Sequence, residues 1–528
     1  MRLPAILLCV AYVVVAVFFA WTLVNHDYEA EYLALGDLAL RGEISLYQDE
    51  MTGQWVPLPF VFYGAVQALA GRDLLVPRLA SVALGLGVLV LVWALARRAH
   101  GTLAATVAVG LFVTNGLVVG YFSTVHFAGL AALCHLLALW ILFGTTWPTR
   151  DVLAMLVVSV LFLVKPNYWP TIPIVLVYLA ARAPARRWPA LVAAAVAIPL
   201  LFFVSARDHL KLLAFVPVAR DWVAPLGYTS WFSLVADPGS FWGSDYVDIK
   251  VGSGVTGRLV QIASSVPLLF KRYALWTALL AVLGVAALAT RRRASLPDPG
   301  RGELVRMAAW LFGLVTAAQF VLMGPFTKQA FGYVGAIAPL FCVVLGVLYA
   351  TVWDRFGGAP AARAAMVAGL VACLAASPWV HRHPNLPRRV RVAEATIPDI
   401  RRVSGELAAA LPAGESRIFL LGDPLALHLA GRRSYLRQFH QWWIVFTSEA
   451  DASKYARAGL WGRAELERWL GGDARYAVVE RRAEEYYRRR APYREVMARM
   501  DALLAERFAV RRTIDTATGD RFVVYARR

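Results

Sequence analysis

Residues 3–24 of the chain read LPAILLCVAYVVVAVFFAWTLV, and residues 25–32 read NHDYEAEY. The first stretch has no charged side chain and is long enough to cross the hydrocarbon core of a bilayer, which takes roughly 20 residues in a helix. Its apolar core is too long for a signal peptide, and no small-x-small cleavage site stands out. We therefore interpret it as a retained helix, with the acidic residues of 25–32 at the point where it leaves the membrane.

Apolar runs of similar length recur as far as residue 380 and predict a polytopic, mainly α-helical membrane bundle of about eleven spans. The runs lie at about 3–24, 74–96, 102–121, 125–143, 152–165, 168–181, 189–205, 272–290, 304–323, 331–350 and 362–380. The two runs at 152–165 and 168–181 are short and are separated by Lys165-Pro166-Asn167. Residues 57–70 are apolar but too short to span, so we expect them to form a helix at the outer surface.

The composition excludes several classes of protein. The chain of 528 residues is 59% hydrophobic and only 17% charged, whereas soluble domains are about 25% charged. A cytosolic enzyme, a disordered chain and a disulfide-stapled secreted module are therefore excluded. The four cysteines all lie in apolar runs, so they predict neither a zinc site nor a disulfide framework.

Arginines in alternate short loops set the expected topology, because such loops face the cytoplasm. They are Arg97, Arg98, Arg150, Arg182, Arg186, Arg187, Arg291, Arg292, Arg293 and Arg355. We expect a protein of the bacterial inner membrane whose N-terminus is cytoplasmic. The transmembrane domain would occupy 1–380, with large external segments at 25–73 and 207–270, and residues 381–528 would form a periplasmic domain.

The tail 381–528 changes composition abruptly, with 28 Lys and Arg and 18 Asp and Glu. Short apolar runs at 417–423 and 474–480 predict buried strands, and the last 18 residues predict a hairpin. Residues 396–411, 463–470 and 491–508 look helical, so the tail is predicted to be a small α/β domain. Its basic residues suit anionic lipid head groups. No nucleic-acid partner is predicted, although the net charge is +19.

The segment after the first span carries three carboxylates, Asp27, Glu29 and Glu31. Acidic groups at a membrane boundary are costly unless they are solvated, paired or used. One of them could accept a proton from an acceptor hydroxyl as a general base. The alternative is structural: Asp27 would cap a surface helix, with Glu29 and Glu31 in its first turn.

The segment continues as Tyr32-x-x-x-Gly36, then Pro57-Leu58-Pro59, then Arg78-Leu79-Ala80-Ser81. This order resembles the first external loop of the GT-C glycosyltransferases. It is most similar to glycosyltransferase family 39, the protein O-mannosyltransferases, and to the lipid A aminoarabinose transferases. In that family an acidic pair follows the first helix. Here the pair is split as Asp27-Tyr28-Glu29, and the choice of base between these two acids stays open.

The resemblance implies a polyprenyl-phosphate-linked sugar as donor and a periplasmic glycolipid, polysaccharide or protein as acceptor. Cations near the outer face would contact the donor phosphate, and Lys165, Lys328 and Arg78 are the candidates. The structural alternative for Arg78 is that it bonds backbone carbonyls where helices pack. Substrate contacts are predicted at Glu31, His126, Tyr333, Tyr168 and Trp169. Aromatic residues such as the two at 168–169 are more often interface anchors than sugar contacts.

The resemblance leaves a divalent metal open, but the residues do not support one. The family often has an aspartate where this chain has His126, so we predict no metal ligands and no certain cofactor. Transfer with inversion at the sugar carbon is the function expected from the resemblance. The alternatives are a transporter or flippase of a lipid-linked precursor, a polymerase or ligase of lipid-linked glycans, and a scaffold without catalysis.

Overall fold

A computed structural model describes residues 3–24, 27–47, 56–215, 220–226, 263, 267, 269–289, 299–322, 327–356, 359–383, 386, 396–435, 461–489 and 493–528. For residues 27, 28, 214, 215, 220, 221, 299–301, 320–322 and 327–332, it describes the backbone only. The predicted external segment 207–270 therefore falls largely outside the described residues, as do Arg291, Arg292 and Arg293. The chain forms two compact units, one of residues 1–20, 79–204 and 243–386, the other of residues 21–78, 205–242 and 387–528.

The described part of the chain is mainly helical. The α-helices are α1 (Leu3–Thr22), α2 (Asp27–Leu40), α3 (Pro57–Ala70), α4 (Leu75–Thr114), α5 (Gly116–Tyr121), α6 (Ala128–Gly144), α7 (Arg150–Ser159), α8 (Thr171–Ala180), α9 (Trp188–Ser205), α10 (Arg220–Val223), α11 (Ala274–Ala289), α12 (Pro299–Leu322), α13 (Thr327–Arg355), α14 (Pro360–Val380), α15 (Thr396–Ala410), α16 (Pro424–Leu429), α17 (Arg463–Arg468), α18 (Arg481–Arg488) and α19 (Arg494–Arg507). Short 3-10 helices lie at Val160–Leu163, Pro166–Tyr168, Ala185–Arg187, Arg207–Phe215 and Ala224–Leu226, and a π-helical turn lies at Trp469–Asp473.

Five helices in the described part of the chain are long and apolar enough to cross a membrane. They are Leu3–Thr22, Leu75–Thr114, Ala185–Ser205, Tyr333–Arg355 and Pro360–Val380. Helix α4 covers most of the predicted spans 74–96 and 102–121, which His100 and Gly101 separate by leaving the helical conformation. The second of these spans continues after Asn115 as helix α5. The predicted interruption at Lys165-Pro166 is confirmed, because two short 3-10 helices lie between α7 and α8. The total of about eleven spans stays a prediction.

Glycines allow close helix packing in the first unit. A Cβ at Gly85 would lie 1.8 Å from the Tyr12 hydroxyl, and a Cβ at Gly346 would lie 2.4 Å from the carbonyl oxygen of Ala104. The same Tyr12 hydroxyl donates to the carbonyl oxygen of Val82 at 3.3 Å. Small residues at such crossings let helix backbones approach closely, which membrane helices use for packing.

The second unit contains a four-stranded sheet, which confirms the predicted α/β tail. Its strands are β1 (Ile418–Leu421), β2 (Tyr476–Glu480), β3 (Phe508–Asp515) and β4 (Arg521–Arg527), in the order β1-β2-β4-β3. Strands β1 and β2 are parallel, whereas β4 pairs antiparallel with both β2 and β3. The predicted hairpin at the end of the chain is β3–β4, and Gly519 supplies a positive φ of 83° in its turn.

Successive residues of a strand point to opposite faces, and here both faces are covered. Phe419 and Leu421 of β1 belong to a core with Trp469 and Met500, whereas the neighbouring Leu420 belongs to a second core. The first core is filled by side chains of α17, α18 and α19, and the second by side chains of α15 and α16. All four residues of β1 are buried, which explains why the strand is a continuous apolar run in the sequence.

Candidate functional site

The acidic segment forms the start of helix α2, whose first residue is Asp27. The side chain of Asp27 lies outside the described residues. Glu29 is fully buried, and its two carboxylate oxygens accept hydrogen bonds from Nε and Nη2 of Arg78 at 2.9 and 2.7 Å. Arg78, also fully buried, donates through Nη1 to the carbonyl oxygen of Leu23 at 2.9 Å. One guanidinium therefore joins the end of the first helical segment, the first turn of α2 and the first turn of α4.

Burial of this pair bears on the structural alternative for the acidic segment. The structural alternative placed Glu29 and Glu31 on a surface helix, and the helix is confirmed. The predicted position at the surface is wrong, because Glu29 is 0% exposed and Glu31 is 6% exposed. A bidentate Arg–carboxylate pair combines charge with fixed geometry, so the backbone that carries Asp27 has a defined position. The prediction that Arg78 bonds a backbone carbonyl is also confirmed by its contact with Leu23.

Helices α2 and α3 cross in close contact beside the acidic segment. A Cβ added to Gly64 would lie 2.5 Å from the carbonyl carbon of Gly36. The ring of Tyr32 meets Phe60 edge to face, with centroids 5.0 Å apart, and stacks on Tyr63 at 6.2 Å. The predicted helix at 57–70 is thus confirmed, and its residues Phe60 and Tyr63 pack against Tyr32 of α2.

Residues of the tail contact segment 25–73 within the second unit, which the sequence did not reveal. Nε2 of His428 donates to Oε1 of Gln67 at 2.8 Å, and both side chains are buried. Burial, with a smaller contribution from Arg72, lowers the pKa of His428 from 6.5 to about 4. This imidazole is therefore neutral near pH 7 and belongs to the packing between the two segments.

Ion pairs also join the tail to segment 25–73. Arg401 pairs with Asp73 at 3.0 Å, and Arg433 pairs with Glu43 at 3.0 Å. Within segment 25–73, the buried Asp37 accepts hydrogen bonds from Arg41 and Arg72. The partners in the pairs Arg401–Asp73 and Arg433–Glu43 are 328 and 390 residues apart, so no local pattern in the sequence pairs them.

A second group of predicted residues lies within the first unit, around Lys165. The residue before a proline is driven to an extended conformation, and Lys165 has φ −168° and ψ 137°. Its side chain is 6% exposed, and Nζ lies 5.2 Å from the ring centroid of Phe127 and 5.9 Å from that of Tyr333. The hydroxyl of Tyr168 donates to the carbonyl oxygen of Tyr333 at 2.9 Å, which ties the turn to helix α13.

His126 belongs to this Lys165 cluster. Its Nδ1 accepts from the amide of Ala128 at 3.2 Å, and its ring lies 4.0 Å from that of Phe127, centroid to centroid. Trp169 instead stacks on Phe162 at 4.7 Å and donates to the carbonyl oxygen of Phe162 at 3.0 Å. The side chain of Lys328 lies outside the described residues.

Three residues of the Lys165 cluster were missed by sequence reasoning: Tyr121, Phe127 and His383. The ring of Tyr121 lies 5.1 Å from both His126 and His383. A Cβ at Gly120 would lie 2.3 Å from the ring of His383. The signal was present as two short motifs, YFSTVHF at 121–127 and HRH at 381–383, but nothing in the sequence joined them. The predicted residues thus form two groups, Glu29, Glu31 and Arg78 in the second unit and His126, Lys165, Tyr168 and Tyr333 in the first.

The two groups have different chemical capacities. A buried ammonium over aromatic rings, in surroundings of low dielectric constant, binds an anion such as a phosphate strongly. A carboxylate at a helix start can orient a hydroxyl and accept its proton. The Arg78 guanidinium, by contrast, is engaged by Glu29 and Leu23, which suits it to holding the segment in place.

Comparison with known proteins identifies the fold. No family model and no curated protein matches the chain. Among solved structures, the chain is similar to ArnT from Cupriavidus metallidurans bound to undecaprenyl phosphate, with 15% identity, a TM-score of 0.57, and coverage of 99% of this chain and 97% of that chain. The apo state of the same protein gives a TM-score of 0.54 at the same identity and coverage. The chain therefore has the fold of the ArnT structures, which is the GT-C fold that the order of motifs at 25–81 predicted.

Proposed function

We propose that the chain is a membrane glycosyltransferase that moves one sugar from a polyprenyl phosphate to an acceptor outside the cytoplasm. The observation that carries the proposal is the buried Glu29–Arg78 pair, which fixes the helix start where Asp27 lies. The fold adds support, since the ArnT structure that shares it contains undecaprenyl phosphate. The buried Lys165 among aromatic rings supplies the kind of group that a lipid phosphate needs.

In the proposed reaction, the carboxylate of Asp27 accepts the proton of the acceptor hydroxyl. The hydroxyl oxygen forms a bond to C1 of the sugar while the bond from C1 to the phosphate oxygen breaks. The electron pair of that bond leaves with the polyprenyl phosphate. Attack from the face opposite the leaving group inverts the configuration at C1, and no further reactant is required.

We assign Glu29 and Arg78 to positioning. Both oxygens of Glu29 already accept from Arg78, so Asp27 is the better candidate for the base. This assignment moves Arg78 from the donor phosphate to the support of Asp27. Glu31, 6% exposed in the same helix, remains a candidate contact for the acceptor.

The donor is assigned to the Lys165 cluster. Lys165 would stabilise the negative charge that grows on the departing phosphate, with Lys328 as a second cation. Tyr333, Tyr168 and His126 would line the path of the sugar and lipid. Trp169 stacks on Phe162, which favours its alternative role as an anchor.

The expected topology completes the proposal. The N-terminus would be cytoplasmic, and the α/β tail would lie in the periplasm of a bacterium, next to the first external segment that it contacts. The acceptor would then approach from the periplasm. Its class, whether glycolipid, polysaccharide or protein, is left to the experiment.

The test uses membranes of a strain that lacks the gene, solubilised in detergent so that donor and acceptor are present without a sealed bilayer. Purified full-length protein is added, and the acceptor fraction is analysed by mass spectrometry. We expect one added sugar with the wild type and none with Asp27→Asn at equal protein level and thermal stability. A wild-type protein that leaves these extracts unchanged, but restores the product in cells, would identify a flippase and refute the proposal.

A further inference from the structure

Two adjoining cavities lie at one end of the first unit and share Tyr178, Arg182 and Glu303. The first, of about 540 Å³, is lined largely by charged and polar groups that include Arg98, Arg150 and Arg187. The second, of about 560 Å³, lies between helices α8 and α12 and is lined mainly by apolar side chains. None of the residues of the Lys165 cluster or of the acidic segment lines either cavity.

The charged cavity holds an excess of positive charge. With Arg306 of the adjoining cavity, five arginines line the pair of cavities, against two carboxylates, Asp151 and Glu303. The carboxylates orient the arginines. Asp151 lies 3.5 Å from Arg150 and 3.6 Å from Arg187, and Glu303 lies 2.8 Å from Arg182. Because the arginines outnumber the carboxylates, the site has a net positive charge. The geometry of a guanidinium group also matches that of phosphate oxygens.

The adjoining cavity is an open apolar groove. Val177 of α8 is 68% exposed, and Trp310 and Leu314 of α12 are 60% and 47% exposed. Large apolar side chains exposed in this way on a membrane protein face lipid chains. Arg182 lies where the two cavities meet, with its guanidinium 4.0 Å above the ring of Tyr178. The charged cavity and the apolar groove are thus continuous. Together they match a lipid that has an anionic head group and an apolar chain.

Topology alone does not require this arrangement. Arginines that set orientation need only lie in cytoplasmic loops. Here they come from four places in the chain, namely the end of the first half of α4, the start of α7, the connection from α8 to α9, and helix α12, and they line adjoining cavities. Basic pockets between membrane helices on the cytoplasmic side are known to bind phosphate-bearing lipid head groups.

We propose that these cavities bind an anionic glycerophospholipid of the bilayer, with the phosphate among Arg150, Arg182 and Arg187 and one acyl chain in the groove between α8 and α12. On the expected topology this is a lipid of the cytoplasmic leaflet. The site is separate from the proposed transfer reaction and does not depend on it. Its ligand is a structural lipid, recognised by a phosphate and a chain together.

The test measures lipid binding to the full-length protein by native mass spectrometry in a neutral detergent. Phosphatidylglycerol and phosphatidylcholine with identical dioctanoyl chains are the probes, and inorganic phosphate is the competitor. We expect phosphatidylglycerol to bind at least about tenfold more tightly than phosphatidylcholine. The double variant Arg150→Gln/Arg187→Gln should weaken phosphatidylglycerol binding about 25-fold, since each basic group near an anionic lipid contributes about fivefold.

Two further variants separate charge and chain. Arg97→Gln/Arg186→Gln removes two neighbouring arginines that line neither cavity, and it should leave phosphatidylglycerol binding unchanged. Ala181→Trp fills the groove without altering charge and should weaken binding of the lipid. Equal binding of the two lipids, or equal losses in both double variants, would overturn the proposal. Displacement of phosphatidylglycerol by an equal concentration of inorganic phosphate would show a site for a free anion and would also overturn it.

Discussion

A single arginine, Arg78, joins three segments of the candidate site. It is fully buried, engages both oxygens of Glu29 and also bonds Leu23. A buried ion pair is weak evidence for net stability, but the loss of one partner leaves an uncompensated buried charge. The function of the pair in our account is to hold the start of α2, and this role can be measured separately from catalysis.

We expect Glu29→Gln and Arg78→Gln each to lower the free energy of unfolding by about 3–5 kcal/mol, because each leaves one buried group without its partner. The double variant should lose less than the sum of the two. The measurement is thermal unfolding of the full-length protein in detergent, analysed as a double-mutant cycle. Single variants within about 0.5 kcal/mol of the wild type, the range of ordinary surface substitutions, would show that the pair does not fix the segment.

Lys165 is expected to contact the lipid phosphate through its charge. Lys165→Met should weaken binding of undecaprenyl phosphate at least about tenfold, the value of one lost charge-assisted hydrogen bond. Lys165→Arg keeps the charge and should retain most of the affinity. Binding is measured by native mass spectrometry on both variants, and equal affinity of Lys165→Met and wild type would remove Lys165 from the donor site.

His428 gives a pH dependence whose sign follows from its burial. Its pKa is lowered from 6.5 to about 4, so between these values the unfolded chain binds a proton that the folded chain does not. Stability is therefore retained above pH 6.5 and falls as the pH drops toward 4, by about 2 kcal/mol at pH 5. His428→Gln should reduce the slope of unfolding temperature against pH between 7 and 5. An unchanged slope would show that His428 does not titrate in this range.

At the scale of elements, the crossing of α2 and α3 is controlled by two glycines. The backbones meet at Gly36 and Gly64, where an added Cβ on Gly64 would lie 2.5 Å from a backbone carbon. Backbone atoms cannot move to make room for an added methyl group as a flexible side chain can. The crossing therefore brings the aromatic residues of α3 against α2 only while both positions lack a side chain.

We expect Gly64→Ala to lower the free energy of unfolding by about 1–3 kcal/mol, because the new methyl group overpacks the crossing. Gly405→Ala is the matched control in the same unit. Gly405 lies in helix α15 with no atom within 4 Å of an added Cβ, so the change should stabilise the helix by up to about 1 kcal/mol. Thermal unfolding of both variants tests the account, and equal effects would contradict it.

The elements themselves were largely predictable. The apolar runs gave the helices α1, α3 and α6, and the short runs at 417–423 and 474–480 gave β1 and β2. Periodicity and length are local properties, so a sequence carries them directly. The break inside α4 was also visible, because Gly101 follows a pair of arginines and adopts a positive φ of 85°.

At the scale of the whole molecule, the composition predicted a mainly helical protein and the order of motifs at 25–81 predicted its fold. The number of spans stays a prediction, and contacts between distant residues were not predicted. Glu29 and Arg78 were both singled out, yet as a base and a phosphate ligand and not as partners. His428 and Gln67, which are 361 residues apart, were not singled out. Such contacts depend on the tertiary fold, and a single sequence carries no record of which distant residues meet.

The central claim, that the chain transfers a sugar from a polyprenyl phosphate with Asp27 as base, is tested most directly in cells. Envelope glycolipids and glycoproteins are compared by mass spectrometry between a strain lacking the gene and the same strain producing wild-type or Asp27→Asn protein. We predict that one class of molecule gains the mass of a single sugar with the wild type and is unmodified in the other two strains. Identical spectra with and without the wild-type gene, or full modification by Asp27→Asn, would contradict the claim.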